Sequence, residues 1–298
     1  MPIRRTIAAM LTAFVLSAFA TGPALAARPV KPPPTAPGGA PERPLPPEEQ
    51  AASDRKVAAA EAYIASVDAS GKNLLSLNCV APNGTAPNAP SSAVTTGSCT
   101  VPQAYLPVVA RDQIRGHYCG PAVGQVIANY TWAVGSSANK YAQTTIAGWM
   151  LTDVKGYTNA PELEDGLEVA TAGAPRRPVG WDWVVTNLRD TDGDGILGDQ
   201  LQYYVRANVS GAKMPLALAV KPYDPKGMYH LSSWSRPVSS PGHWIAAYGW
   251  YSYWAGNDFS RIYYTDSSKD EGGSTGKYWD STRHLAEMIR VHTGRFVW

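Results

Sequence analysis

A segment with helical apolar spacing opens at Cys119, ahead of every strongly strand-like run in the chain. After Cys119, the residues Ala122, Val123, Val126, Ile127 and Tyr130 recur at three- and four-residue intervals and mark one face of a helix. Gln143 to Leu151 and Leu163 to Ala172 read as two further helices. Strand patterns come later: Leu216 to Val220, His243 to Tyr251, and Arg261 to Thr265, the last ending at Asp266. Helices first and strands afterwards point to an α+β fold, with a mainly antiparallel sheet packed against the helix that Cys119 opens. Residues 101–298 suffice for one well-buried core.

The start of the chain reads as an address. Arg4 and Arg5 precede an uncharged, mostly apolar stretch from Ile7 to Ala20, and Ala24-Leu25-Ala26 fits a small-residue cleavage site. Residues 1–26 are therefore a signal peptide, the mature chain begins at Ala27, and the protein is secreted and extracellular. No later stretch has the length and apolarity of a membrane span, so no membrane association is expected after signal removal. Residues 27–48, with Pro-Pro-Pro and Pro-Leu-Pro-Pro, form a Pro-rich linker. Residues 49–100 hold a helix from Glu48 to about Ser66, with Val57, Ala60, Tyr63 and Ile64 at helical spacing, and then a loop-rich stretch. That region is either a spacer with an N-terminal extension or a pro-region that blocks the site until cut.

An oxidising compartment makes cysteine pairing informative. The chain has 3 cysteines, so one lacks an internal partner. Cys79 and Cys99 flank a loop rich in Pro, Asn, Ser and Gly, which a bridge would close with a gain of roughly 3 kcal/mol in the chain-entropy model. Pairing of Cys119 with either remains the alternative. Charge excludes other classes. The formal net charge of +2 falls to zero when Arg4 and Arg5 leave with the signal, which gives no footprint for nucleic acid. Trp and Tyr (10 and 16) outnumber Phe (4), and their polar tips suit either a wet groove or ordinary packing.

A thiol that attacks an acyl carbon needs a base, an acceptor to orient that base, and donors for the oxyanion. Cys119 supplies the nucleophile at the start of a helix, where the macrodipole favours thiolate. Its own N–H and the side-chain amide of Gln113 are the oxyanion donors. Gly120 allows close backbone approach, and Pro121 needs no donor in a first helical turn. Of the 5 histidines, His117 lies too close in sequence for in-line transfer, and His230, His284 and His292 have no companion motif. His243 opens an apolar strand after Pro-Gly. If that strand pairs with the one ending at Asp266, the carboxylate reaches the imidazole and fixes its tautomer. Asn257 and Asp258 are competing orienters, and a turn-forming role is the plain alternative for Asp266.

These residues resemble a known pattern. Gln113, Cys119-Gly-Pro-Ala122, Gly242-His243 and Asp266 are similar to the motif of the papain-like bacteriocin-leader peptidases, family thirty-nine of the cysteine peptidases, and more closely to their secreted stand-alone relatives. The resemblance spans about Val101 to Asp266, and Ala147 to Leu167 looks similar to the family's helical insert. It implies a papain-like fold and a cysteine peptidase with Cys119, His243, Asp266 and Gln113 in the site, acting on a peptide or protein substrate. Asp266-Ser267 replaces the family's frequent Asp-Pro, and an aromatic loop from Tyr251 to Asp258 lengthens the path from His243 to Asp266. With no transporter attached, the family's substrate does not carry over.

A second motif is Asp190-Thr-Asp192-Gly-Asp194-Gly195-Ile196, followed by Asp199. Alternate carboxylates before a glycine fit the first half of a calcium loop, with the Ile196 carbonyl as a further ligand. Leu201 stands where a closing acid belongs, so the site is incomplete or closed through Asp199, and a plain Asp/Gly turn is the alternative. No cofactor is required by the thiol chemistry; the calcium is structural. The chain is expected to be a monomeric hydrolase. Two other readings stand beside peptidase: a cell-wall amidase or acyl transferase with the same triad, and a non-catalytic binding module with Trp244, Tyr248, Trp250, Tyr251, Tyr253 and Trp254 lining a groove.

Overall fold

The computed structural model describes residues 44–69, 95–96, 99–100, 103–190, 197–223, 230–235, 242–252, 260–268 and 273–298. The expected signal peptide, most of the expected linker, Cys79, Asp192, Asp194, Ile196, Asn257 and Asp258 lie outside them. All described residues belong to one unit, Ala36–Trp298.

A long helix, α1 (Pro47–Ala69), leads. A short ribbon pairs β1 (Thr95–Thr96) with β2 (Cys99–Thr100), and β3 (Gln103–Tyr105) follows. Then come α2 (Cys119–Thr131), α3 (Gln143–Trp149), α4 (Thr152–Lys155) and α5 (Ala160–Thr171). The later part is β4 (Val185–Asn187), α6 (Leu197–Arg206) running into a π-helical stretch (Ala207–Ala212), β5 (Leu216–Val220), β6 (His243–Tyr251), β7 (Arg261–Asp266), β8 (Gly276–Ser281), α7 (Thr282–Arg290) and β9 (Arg295–Val297).

The main sheet is antiparallel throughout, in the order β4-β9-β5-β6-β7-β8, with β3 joining β6 beyond the end of β5. The expected mix of helices and antiparallel sheet is what forms. Every residue of β5 and all but the last of β6 are buried, so side chains on both faces are covered. Helix α2 lies on β6, α5 reaches β9 and β4, and α6 and α7 pack on each other and on the strands.

One expectation changes. The apolar spacing after Cys119 marks a single face, yet every residue of α2 from Gly120 to Thr131 is buried. Helices α3 and α5 and strand β6 surround it, so its small and polar positions are enclosed too. Gln125 and Asn129 find partners there, in the Tyr141 carbonyl at 2.7 Å and the Asn139 side chain at 2.8 Å. A helix buried all round is a stiff mount for its first residue.

Helix α1 docks on the body. Ser53 and Thr186 share a hydroxyl hydrogen bond at 2.9 Å, and the Tyr63 ring covers Gly211. Lys56 donates to the Asp182 carbonyl at 2.7 Å and to the Trp298 carbonyl, with its ammonium 3.7 Å from the Trp181 ring centre. Burial lowers its pKa well below the ordinary lysine value, against the pull of Glu168 and Asp182. No described helix is long and apolar enough to cross a membrane.

Candidate active site

Cys119 is a free thiol and is partly exposed at the first position of α2. No side chain caps this helix, so its first N–H groups are not spent on a cap. The turn before it is held from outside. Tyr118 donates its hydroxyl to Asp153 at 2.7 Å, and Arg115 pairs with the same carboxylate at 2.7 Å. His117 also leans on Asp153, 3.5 Å away. Asp153 is drawn below the ordinary carboxylate range, first by the Tyr118 hydrogen bond.

Strand pairing delivers His243 and Asp266. Ala246 stands opposite Thr265 in the β6–β7 ladder. Asp266, one step on, therefore lies beside Ile245, and His243 is its diagonal neighbour on the same face. The contact is made: His243 Nε2 is 2.7 Å from Asp266 Oδ1. Both residues are buried. Cys119 also acts on the imidazole, raising its pKa, and with Nε2 engaged by Asp266, Nδ1 is the nitrogen left to meet sulfur.

Charge follows geometry. Burial pushes the His243 ring down, but the Asp266 carboxylate, by charge and hydrogen bond, and then Cys119 outweigh it and raise the ring to about 10. Burial pushes Asp266 up, and the His243 charge, with hydrogen bonds from His243, Ser233 and Ser268, brings it below the ordinary carboxylate range. The raised imidazole stabilises the fold in full below about pH 6.5 and loses that contribution as pH rises through its folded value. The lowered carboxylate contributes above about pH 4 and loses it as pH falls further. The pair is thus strongest between those limits. In thermal unfolding, the gap between wild type and His243→Gln is expected to be widest near pH 6 and to close toward pH 10. A gap that widens toward pH 10 would contradict the assignment of charge.

Gln113 is brought in by a strut to the other end of the site: its backbone N–H donates to the Ser267 carbonyl at 2.9 Å. The side chain is buried, and its amide donates to the Gly116 carbonyl at 3.1 Å. One of the two amide N–H bonds is thereby engaged. Its Oε1, like the Ser267 hydroxyl, is buried without a hydrogen-bond partner.

Glycines flank both Cys119 and His243 because neighbours press on the backbone. A Cβ at Gly120 would sit 2.5 Å from Thr158 Oγ1 and 2.6 Å from its Cβ. Thr158 is buried and shares a 2.7 Å hydrogen bond with Thr152, so it has little room to move. Gly120→Ala is expected to cost about 1–3 kcal/mol by overpacking, read as a lowered Tm, and to slow alkylation of Cys119. An unchanged Tm would show that Thr158 yields. On the other side, a Cβ at Gly242 would meet the His292 ring at 2.1 Å. Burial, then Lys221 and His243, push His292 down to about 4.

The aromatic groove resolves differently. Trp244, Tyr248 and Trp250 do not line a groove: all three are buried, with the Trp244 indole donating to the Thr158 carbonyl at 2.8 Å and the Trp250 indole to Ser210 at 2.8 Å. A strand covered on both faces leaves no open side for them. Tyr251 is half-buried, and Tyr253 and Trp254 lie outside the described residues. Asp199 stands in the first turn of α6, where a carboxylate meets the positive helix end. Among the described residues no group of three or more His, Cys, Asp or Glu is placed to hold a metal. Two site residues escaped the sequence reading: Ser233 and Trp234, in the loop before β6, both donate to Asp266. An indole in a serine-rich loop just ahead of Pro-Gly-His243 was their only local signal.

No protein-family model matches the chain, and no curated protein matches it in sequence. Among solved structures, the chain is similar to the Amb a 11 cysteine protease, a major ragweed pollen allergen, in its proform. The TM-score is 0.39 at 11% identity, over 67% of this chain and 66% of that one.

Proposed function

We propose that this chain is a papain-like cysteine peptidase, secreted, acting through Cys119, His243 and Asp266 on peptide or protein substrates. The observation that carries the reading is the imidazole of His243, buried between a free thiol at a helix start and a carboxylate 2.7 Å from its Nε2. A raised imidazole beside a thiol favours the thiolate–imidazolium pair.

In that pair the Cys119 sulfur attacks the scissile carbonyl carbon. The carbonyl oxygen takes the electron pair and is met by the Cys119 N–H and the unengaged N–H of the Gln113 amide. As the C–N bond breaks, His243 gives its Nδ1 proton to the leaving amine. Water then attacks the thioester, its proton passes to His243, and the C–S bond breaks to release the acid and restore the pair. Asp266 holds the Nε2–H tautomer throughout and stays ionised.

The burial of Trp244, Tyr248 and Trp250 removes half of the aromatic groove on which a binding-module reading stood. The test is alkylation of the unreduced mature protein, followed by exposure to a peptide library. A single adduct at Cys119 with loss of hydrolysis supports the peptidase. Hydrolysis of cell-wall fragments but of no peptide would favour the amidase reading, and a Cys119 locked in a disulfide would overturn both.

A further inference from the structure

Among the described residues, Asp266 accepts four hydrogen bonds, and two come from a loop outside the triad. Oδ1 takes His243 Nε2 at 2.7 Å and the Ser268 N–H at 2.8 Å. Oδ2 takes Ser233 Oγ at 2.6 Å and Trp234 Nε1 at 3.0 Å. Both donors are buried, and the Trp234 ring stands edge-on to the His243 ring, 5.5 Å away at 72°.

The loop is itself anchored. Ser232 gives its N–H and its hydroxyl to the buried carboxylate of Asp280, at 3.0 and 2.6 Å. Tyr264 donates to the same carboxylate at 2.7 Å. The Ser274 N–H donates to the Ser233 carbonyl at 3.0 Å, and Trp234 bridges to Gly273. Asp280 belongs to β8 and Asp266 to β7. Three consecutive residues, Ser232 to Trp234, thus span two buried carboxylates on adjacent strands.

We propose that Ser233 and Trp234, fixed by Asp280 through Ser232, are positioning residues for the reaction: they pin the Asp266 carboxylate so that only Oδ1 serves His243. The inference rests on reading Cys119, His243 and Asp266 as a triad. A carboxylate without donors on its second oxygen turns about its terminal torsion and offers either oxygen at a range of angles. Two charge-assisted donors on Oδ2 fix the plane and favour the ionised form. Neither residue is hydrogen-bonded to the thiol; both act through Asp266 on the tautomer and angle of the imidazole.

The experiment uses the full mature chain carrying Ser233→Ala, Trp234→Phe, Asp280→Asn or, as the conservative variant, Ser233→Thr. Two readouts are taken: kcat and KM on a peptide cleaved by wild type, and the downfield proton resonance of His243 Nε2–H as pH is lowered. Ser233→Ala and Trp234→Phe are each expected to lower kcat about 10-fold with KM unchanged, the worth of one such hydrogen bond. Both should move the resonance upfield and raise the pH at which acid abolishes it. Ser233→Thr should restore both readouts, and Asp280→Asn should give a weaker version of the same pattern. Wild-type kcat and resonance in the first two variants would overturn the proposal. So would a loss of kcat that disappears at a temperature where the variant is fully folded, because the loop would then be only structural. If Trp234→Phe fails to fold, Ser233→Ala, which removes one oxygen atom, decides. If wild type shows no Cys119-dependent hydrolysis, the peptidase reading fails, while the resonance, which needs no substrate, still decides the positioning.

Discussion

Cys119→Ala is expected to lower kcat for peptide hydrolysis by about 10⁶-fold, the loss typical of a nucleophile that acts as a unit with its base. Tm should stay within a few degrees of wild type, because Cys119 is only partly buried and its neighbour Tyr118 is held by Asp153. Adding His243→Ala to Cys119→Ala should cost almost nothing further, since the two residues share one role in the step. Stopped assays with the single and double variants measure this. Residual activity at a tenth of wild type in Cys119→Ala would remove the thiol from the mechanism.

Asp266→Asn should lower kcat by about 10⁴-fold, as when the orienting carboxylate of a triad loses its charge. The four donors around Asp266 explain why an amide is a poor replacement. Whichever way the amide is turned, its NH₂ faces a site built for donors. Toward Oδ1 it opposes the Ser268 N–H and forces the wrong imidazole tautomer; toward Oδ2 it opposes the Trp234 indole N–H. Without the carboxylate, the largest influence that raises His243 is gone and burial is opposed by Cys119 only, so the alkaline limb of kcat/KM should move down from about 10. Asp266→Ala should in addition destabilise the fold by about 3–5 kcal/mol, because a buried charge is left without its partner. An alkaline limb that stays in place in Asp266→Asn would mean that something other than Asp266 holds the imidazolium.

The sequence was most legible where the chain is most buried. Strands β5 and β6 and the start of α2 fall where apolar runs and the Cys-Gly-Pro boundary place them, because a continuous buried segment writes its own period. The diagonal meeting of His243 and Asp266 was likewise readable, since it needs only that two adjacent strands pair. Elements that depend on distant partners were not readable. Strand β9 is three residues long and exists because β4 and β5 flank it. Helix α7 carried a cap signal at Ser281 and buries Leu285, Met288 and Ile289, yet its polar residues mask that stripe. Helix α6 was hidden by the acidic run read as a calcium loop, whose last carboxylate, Asp199, turned out to lie inside it. Ser233 and Trp234 belong to this second class, because their meaning lies in a carboxylate two strands away in sequence.

The strut from Gln113 to Ser267 ties the segment before Cys119 to the residue after Asp266, across more than half of the described chain. Contacts of such high sequence separation form late, because loop closure must be completed before they contribute. During refolding, secondary structure and most of the core can therefore return before Gln113 is tied to Ser267. If Gln113 serves the reaction as proposed, recovered hydrolysis would lag the return of secondary structure, reporting when this last tie is made.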